Sequence, residues 1–118
     1  MSFLIVFNHQ PYDGSDVAWN GLRLAGALRE RGEEVRIFLM NDAVDMARES
    51  CKKPPEYDHD LVAMLKELFE KGVFLKVCGT CMARCGLYRN EPYFHPEIRG
   101  TMQDLADWVS RCDKILTF

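Results

Sequence analysis

Three features of the sequence predict an α/β fold, a three-layer α/β/α sandwich on a mainly parallel sheet of about five strands. Short apolar runs alternate with helical periodicities along the whole chain. The first run, Phe3–Phe7, is continuously apolar rather than alternating, and Val35–Met40 reads as a second buried strand. That is the pattern of strands covered on both faces, as in a parallel sheet. The helical segments ending near Arg31 and Lys71 each close on a glycine, Gly32 and Gly72, shortly before the next strand.

Taken in order, Phe3–Phe7 is the first strand, and Asn8 to Gly14 is loop chemistry. Ser15 suits a helix cap, and Asp16 suits the positive end of the helix that follows. Val17, Ala18, Leu22, Ala25 and Leu28 recur at helical spacing as far as Gly32. Glu33 and Glu34 lead into the second strand, which completes a β-α-β unit of right-handed crossover. Asn41 or Asp42 is predicted to cap a short helix over Ala43–Glu49, followed by a loop through Pro54 and Pro55. Leu61, Met64, Leu65 and Leu68 mark a helix from about Asp60 to Lys71. Val73–Val77 is the third strand and runs straight into Cys78. An irregular stretch from Tyr88 to Pro96 precedes a brief strand at Ile98–Arg99. Thr101 with Asp104 forms a capping box for a helix carrying Leu105, Trp108 and Val109, and Lys114–Phe118 closes the sheet.

The length of 118 residues is that of one domain, residues 1–118, with a single core. A composition 47% hydrophobic and 28% charged excludes a disordered chain. A net charge of −3 with scattered basic residues excludes a nucleic-acid surface, DNA included, as the main function. No apolar run reaches the ~20 residues that span a bilayer, and the amino terminus lacks the basic region and cleavage site of a signal peptide. A cytoplasmic protein without membrane contact is expected. There, five cysteines point to reduced, catalytic or metal-bound thiols rather than a disulfide framework.

Three of the five fall in one run, Val77-Cys78-Gly79-Thr80-Cys81-Met82-Ala83-Arg84-Cys85-Gly86-Leu87. In a parallel sheet, sites form at the carboxyl ends of the strands. Those ends give a rim of Asn8 and His9, Asn41 and Asp42, Cys78 to Cys81 with Gly79 and Thr80 between them, and Gly100 with Thr101. The cysteine run sits on a strand-to-helix turn at that rim. The thiolate is the reactive form of cysteine, and a helix amino terminus and a nearby cation both favour it. Cys78 and Cys81 straddle such a terminus if the helix begins near Thr80, Arg84 adds positive charge, and Gly79 lets the backbone turn tightly and opens the Cys78 sulfur to attack.

Other readings stand beside this one. Cysteine packs well as a small hydrophobe, which accounts for Cys51 and Cys112, away from the rim, and competes evenly with function for Cys85. Cys78-x2-Cys81 with Cys85 is also metal-ligand spacing, but no second cysteine or histidine pair supplies a fourth ligand, so no metal or other cofactor is assigned. A thioredoxin-like dithiol would place the motif after the first strand, not the third. His9 could act as a general base or anion-binding group, whereas His59 and His95 read as surface residues. Met40, Met46, Met64 and Met102 fit apolar patterns, and Trp108 fits a core or subunit contact.

Across nearly its whole length the chain resembles the DsrE/DsrF (DsrEFH-like) family of small sulfur-relay proteins. The resemblance is carried by Pro11-Tyr12-Asp13-Gly14-Ser15-Asp16, by Leu24 to Leu28 with Gly32 to Val44, by Val77-Cys78 with Gly86-Leu87, and by Asp113 to Phe118. It implies that Cys78 accepts sulfane sulfur as a persulfide and hands it on, in sulfur oxidation or tRNA thiolation. It also implies homo- or hetero-oligomers, often trimers or hexamers. Arg84 stands one residue before the place where family members often carry arginine, Cys85 takes that place, and Cys81 is an extra thiol. Two functions follow from the sequence. One is a cytoplasmic sulfurtransferase or sulfur carrier with Cys78, Cys81 and Arg84 as its working residues, Cys81 resolving or receiving the sulfur, served by donor and acceptor proteins. The other is a non-catalytic assembly subunit whose cysteines are structural or metal-bound. Tyr93 and Phe94, read as exposed, favour a homo-oligomer.

Overall fold

The computed structural model describes residues 1–85 and 93–118, with the backbone alone at positions 84 and 85. Five strands, β1 (Ser2–Phe7), β2 (Glu34–Leu39), β3 (Phe74–Cys78), β4 (Arg99–Gly100) and β5 (Lys114–Thr117), form one sheet in the order β4-β3-β2-β1-β5, and all four pairings are parallel. The helices are α1 (Val17–Glu30), α2 (Leu61–Glu70), α3 (Gly79–Cys85) and α4 (Met102–Arg111). The α/β class with a parallel five-stranded sheet is therefore as the sequence predicts.

The apolar runs form strands because both faces of the sheet are covered. In the register of the first two strands, Val6 pairs with Phe38 and Phe7 with Leu39, so Phe7 and Phe38 point to opposite faces. The α1 helix lies on the Phe7 face, close enough that a methyl group built on Gly21 would come within 2.5 Å of the Phe7 ring. On the other face Trp108 of α4 meets the Phe38 ring edge-on at 6.2 Å. Leu4, Ile5, Phe7, Ile37, Phe38, Leu39 and Val77 are all buried in one core, each large side chain contributing roughly 1.5–3 kcal/mol by leaving water. No helix among the described residues is long and apolar enough to cross a membrane.

Several local expectations are corrected. Asp16, not Ser15, holds the cap position of α1, although the Ser15 hydroxyl still accepts the Val17 N–H at 3.3 Å. The predicted helix over Ala43–Glu49 is a 3₁₀ helix, Asn41–Ala47, and neither Asn41 nor Asp42 caps it. Asn41 adopts a left-handed backbone (φ +52°), and its side-chain amide turns to Asn8, so it cannot serve as a cap. The third and fourth strands each begin one residue later than predicted. Ile98 instead lies before β4, fully buried, its carbonyl accepting the Val77 N–H at 2.7 Å. Tyr93 and Phe94 are half-buried, not exposed. Tyr93 bridges Arg48 and the Phe94 N–H reaches the Ala47 carbonyl at 3.0 Å, which docks this segment on the 3₁₀ helix. Met102 is 59% exposed, and Leu105 is the one buried residue of α4. The capping box is present: the Thr101 hydroxyl accepts the Asp104 N–H at 3.2 Å and the Asp104 carboxylate accepts the Thr101 N–H at 2.9 Å.

Candidate functional site

Cys78 is the last residue of β3 and opens directly into α3. Strands β2 and β4 flank it, and the residue is only 7% exposed. Its sulfur accepts the backbone N–H of Cys81 at 3.2 Å, in the manner of a helix-capping side chain. The Cys81 sulfur in turn accepts the N–H of Asn41 at 3.3 Å. Asn41 donates its side-chain amide to Asn8 Oδ1 at 2.9 Å, and the Asn8 N–H reaches the Phe118 carbonyl at 2.7 Å. The carboxyl ends of β1, β2, β3 and β5 are thereby tied in one line ending at the two sulfurs. Met82, buried in the core, anchors the short α3 helix so that Cys81 stays one turn beyond Cys78.

Gly79 follows Cys78 and is buried. Its backbone is not left-handed; only Gly14, Gly32 and Gly72 have positive φ among the described glycines. The expected tight turn at Gly79 is therefore not the reason for a glycine. A methyl group there would lie 2.6 Å from Arg99 Nε and 3.3 Å from its Cζ. The Arg99 side chain lies across this turn, brought there by the pairing of Val77 with Arg99 and of Cys78 with Gly100. Tyr93 completes the surroundings. Burial pushes its hydroxyl above the ordinary phenolic range, the Arg99 charge pulls it back, and a Cys78 thiolate pushes it up, so both groups are within electrostatic reach of the ring.

The other predicted site residues divide. Asn8 joins the network through its side chain. Thr80 is exposed beside the sulfurs on α3. Asp42 is exposed in the first turn of the 3₁₀ helix, and no described bond links it to either cysteine. His9 is 55% exposed, with Asp13 its nearest charge at 3.9 Å. Asp13 itself is held below the usual carboxylate range by the Ser15 hydroxyl and N–H. The side chains of Arg84 and Cys85, and Gly86 with the start of the irregular stretch, lie outside the described residues. Cys51 and Cys112 sit apart from the pair. Cys51 is buried, and burial with Asp45 alongside pushes its thiol up to about 11. Cys112 follows α4 and lies 3.9 Å from Arg36 Nη1. Among the described residues, no three His, Cys, Asp or Glu side chains converge as a metal-ligand set. A cleft of about 560 Å³, lined by Pro11, Trp19, Tyr57 and His59 among others, lies by the first loop and includes neither cysteine of the pair.

Sequence reasoning missed Arg99, Tyr93 and the backbone N–H of Asn41. A signal for Arg99 was present, since it immediately precedes the Gly100-Thr101 strand end already placed on the rim. The other two reach the site only through long-range pairing.

Comparison with known proteins agrees with this fold. The model of the DsrE/DsrF-like family matches residues 1–118. The chain belongs to the DsrE/DsrF-like family. Among relatives in this family, protein YchN of Escherichia coli K12 is 40% identical over 117 residues, covering 98% of this chain and 97% of YchN. An uncharacterized protein of Methanocaldococcus jannaschii is 34% identical over 118 residues, the full length of both. The crystal structure of the E. coli ychN protein superposes with a TM-score of 0.86 at 37% identity, covering 99% of this chain and 98% of that one. Membership of a sulfur-relay family follows from these matches; what Cys78 does in this chain is a further step.

Proposed function

We propose that this protein is a sulfurtransferase or sulfur carrier that accepts sulfane sulfur as a persulfide on Cys78 and relays it to an acceptor. The supporting observation is the pairing of Cys78 and Cys81 at the carboxyl end of β3, with the Cys81 N–H directed at the Cys78 sulfur at 3.2 Å. An N–H donated to sulfur favours the anionic form, which is both the attacking thiolate and the resulting persulfide anion. In loading, the Cys78 thiolate attacks the outer sulfur of a donor. A new S–S bond forms, the donor S–S bond breaks, and the electron pair leaves with the donor sulfur. In delivery, an acceptor thiolate attacks the terminal sulfur and Cys78 departs as thiolate. Cys81, one helical turn away, is placed to resolve or receive the sulfur. Arg84 is assigned to stabilising the anion by the sequence alone. We place the protein in the cytoplasm, serving donor and acceptor proteins as a homo-oligomer.

Mass spectrometry after incubation with a persulfide donor tests this reading. Wild-type protein gains sulfur mass on the peptide containing Cys78, and Cys78→Ser gains none while keeping its fold. Loading of Cys78→Ser at the wild-type rate would overturn the assignment. A wild-type protein that never loads, and that binds stoichiometric metal through its cysteines, would instead be a non-catalytic assembly subunit.

A further inference from the structure

Among the described residues, Arg99 is the cation that lies against the Cys78 turn, and it differs from several other described basic residues. Arg36 pairs with Glu34, Arg48 with Asp45, Lys76 with Asp104 and Arg111 with Asp107. Arg99 has no hydrogen bond or ion pair with another described residue, yet its side chain lies flat over buried Gly79, with Nε 2.6 Å and Cγ 3.3 Å from where a Cβ would stand. It rises from edge strand β4, exposed to solvent, so its guanidinium can meet a ligand approaching Cys78. Tyr93, half-buried, stands within electrostatic reach of both Arg99 and Cys78. A guanidinium without a partner among the described residues, lying across the turn that follows a nucleophilic sulfur, is suited to an oxyanion, which its planar fork of donors can grip with two hydrogen bonds.

We infer that Arg99 holds the oxyanion group of a small sulfane-sulfur donor beside Cys78, so that the site selects donors of the thiosulfonate class over neutral ones. This rests on the sulfur-carrier reading of Cys78 and extends it to the donor. With thiosulfate the step balances without any other reactant. The Cys78 thiolate attacks the outer sulfur, the Cys78–sulfur bond forms, the S–S bond to the sulfonate breaks, and sulfite leaves with the electron pair. Arg99 faces charge at both ends of that step, first on the bound sulfonate and then on the departing sulfite and the Cys78 persulfide anion. Cys78 is only 7% exposed, which also favours a small donor over a folded protein surface in this loading step.

The test compares two alkylating agents of similar size and opposite character, anionic iodoacetate and neutral iodoacetamide, at Cys78 of wild type, Arg99→Gln and Arg99→Lys. A change in thiolate content alters both rates alike, whereas loss of an oxyanion grip lowers only the first. Arg99→Gln is expected to lower the iodoacetate-to-iodoacetamide rate ratio roughly tenfold, the scale of one charge-assisted hydrogen bond, and Arg99→Lys to restore most of it. Sulfite release from thiosulfate should show the same order, with KM raised about tenfold by Arg99→Gln and kcat changed less. An unchanged ratio in Arg99→Gln, or equal slowing of both reagents, overturns the proposal. The two readings fail separately. If Cys78 takes up no sulfur from any donor while the ratio still depends on Arg99, the carrier function falls and the anion site stands. If Cys78 loads but the ratio ignores Arg99, the carrier stands and the anion site falls.

Discussion

Gly79→Ala separates two explanations for a glycine beside the reactive sulfur. The backbone at Gly79 is open to any residue, so alanine carries no left-handed penalty there. The added methyl would sit 2.6 Å from Arg99 Nε and 3.3 Å from its Cγ and Cζ, against roughly 3.5 Å or more for a comfortable contact. Nearly an ångström of retreat is needed, and the atoms in the way belong to a flexible, exposed side chain. Arg99 should therefore swing off the turn, giving up packing worth about 0.5–1 kcal/mol. Alanine's better helix propensity returns up to ~1 kcal/mol, less at a first helical position. The net change in stability is expected within about 1 kcal/mol, or roughly 4 °C in Tm for a chain this size. Anion selectivity at Cys78 should nevertheless fall as in Arg99→Gln. Denaturant unfolding and the paired alkylation assay on the same preparation decide it. A loss above about 3 kcal/mol with iodoacetate preference intact would mean that the backbone moved and Arg99 stayed, and the reasoning would be refuted.

Cys51 should be the slow thiol: pushed up to about 11, it holds about one thiolate in 3,000 at pH 7.5, against about one in ten for an ordinary cysteine, so alkylation should lag that of an ordinary cysteine by at least ~300-fold. Because its folded-state value is raised, its contribution to stability is intact below about pH 8.5 and is lost as pH rises from there through about 11. Cys51→Ala should flatten that part of the pH–stability curve. Gly21→Ala places a methyl 2.5 Å from the Phe7 ring, which is buried and cannot swing into solvent, and 3.1 Å from half-buried Phe118, so urea unfolding should register a loss of about 1–2 kcal/mol despite the helix gain. Light scattering should give the mass of a trimer or a multiple of it, since Phe74, Met102, Val109 and Ile115 leave apolar surface exposed on one chain; a monomer mass would contradict this.

The sequence by itself determined the layers and their order. Strands such as Phe3–Phe7 and Val35–Met40 are legible because burial on both faces calls for apolar runs, unbroken in the first and interrupted only at Arg36 in the second, and a parallel sheet between helices supplies that burial. Thr101 with Asp104 and the stops at Gly32 and Gly72 are legible because a helix end satisfies its own backbone locally, within three or four residues. Cys78 was found the same way, as the residue on which a buried strand ends. The 3₁₀ form of Asn41–Ala47 was not legible, since Asn41 is held left-handed by its bonds to Asn8 and Cys81, far along the chain.

What only the tertiary structure decided is which distant groups meet the sulfur. Arg84 was the natural cation on sequence, six residues from Cys78, but the guanidinium described against Gly79 is that of Arg99, on another strand. Tyr93 and Phe94 read as exposed, yet they dock on Ala47 and Arg48. The order β4-β3-β2-β1-β5 brings these groups together, and it arises from crossovers that place strands side by side regardless of their separation in sequence. Local spacing encodes the period of each element and its ends. Side-chain contacts between strand ends depend on register and neighbour, which exist only once the sheet has formed.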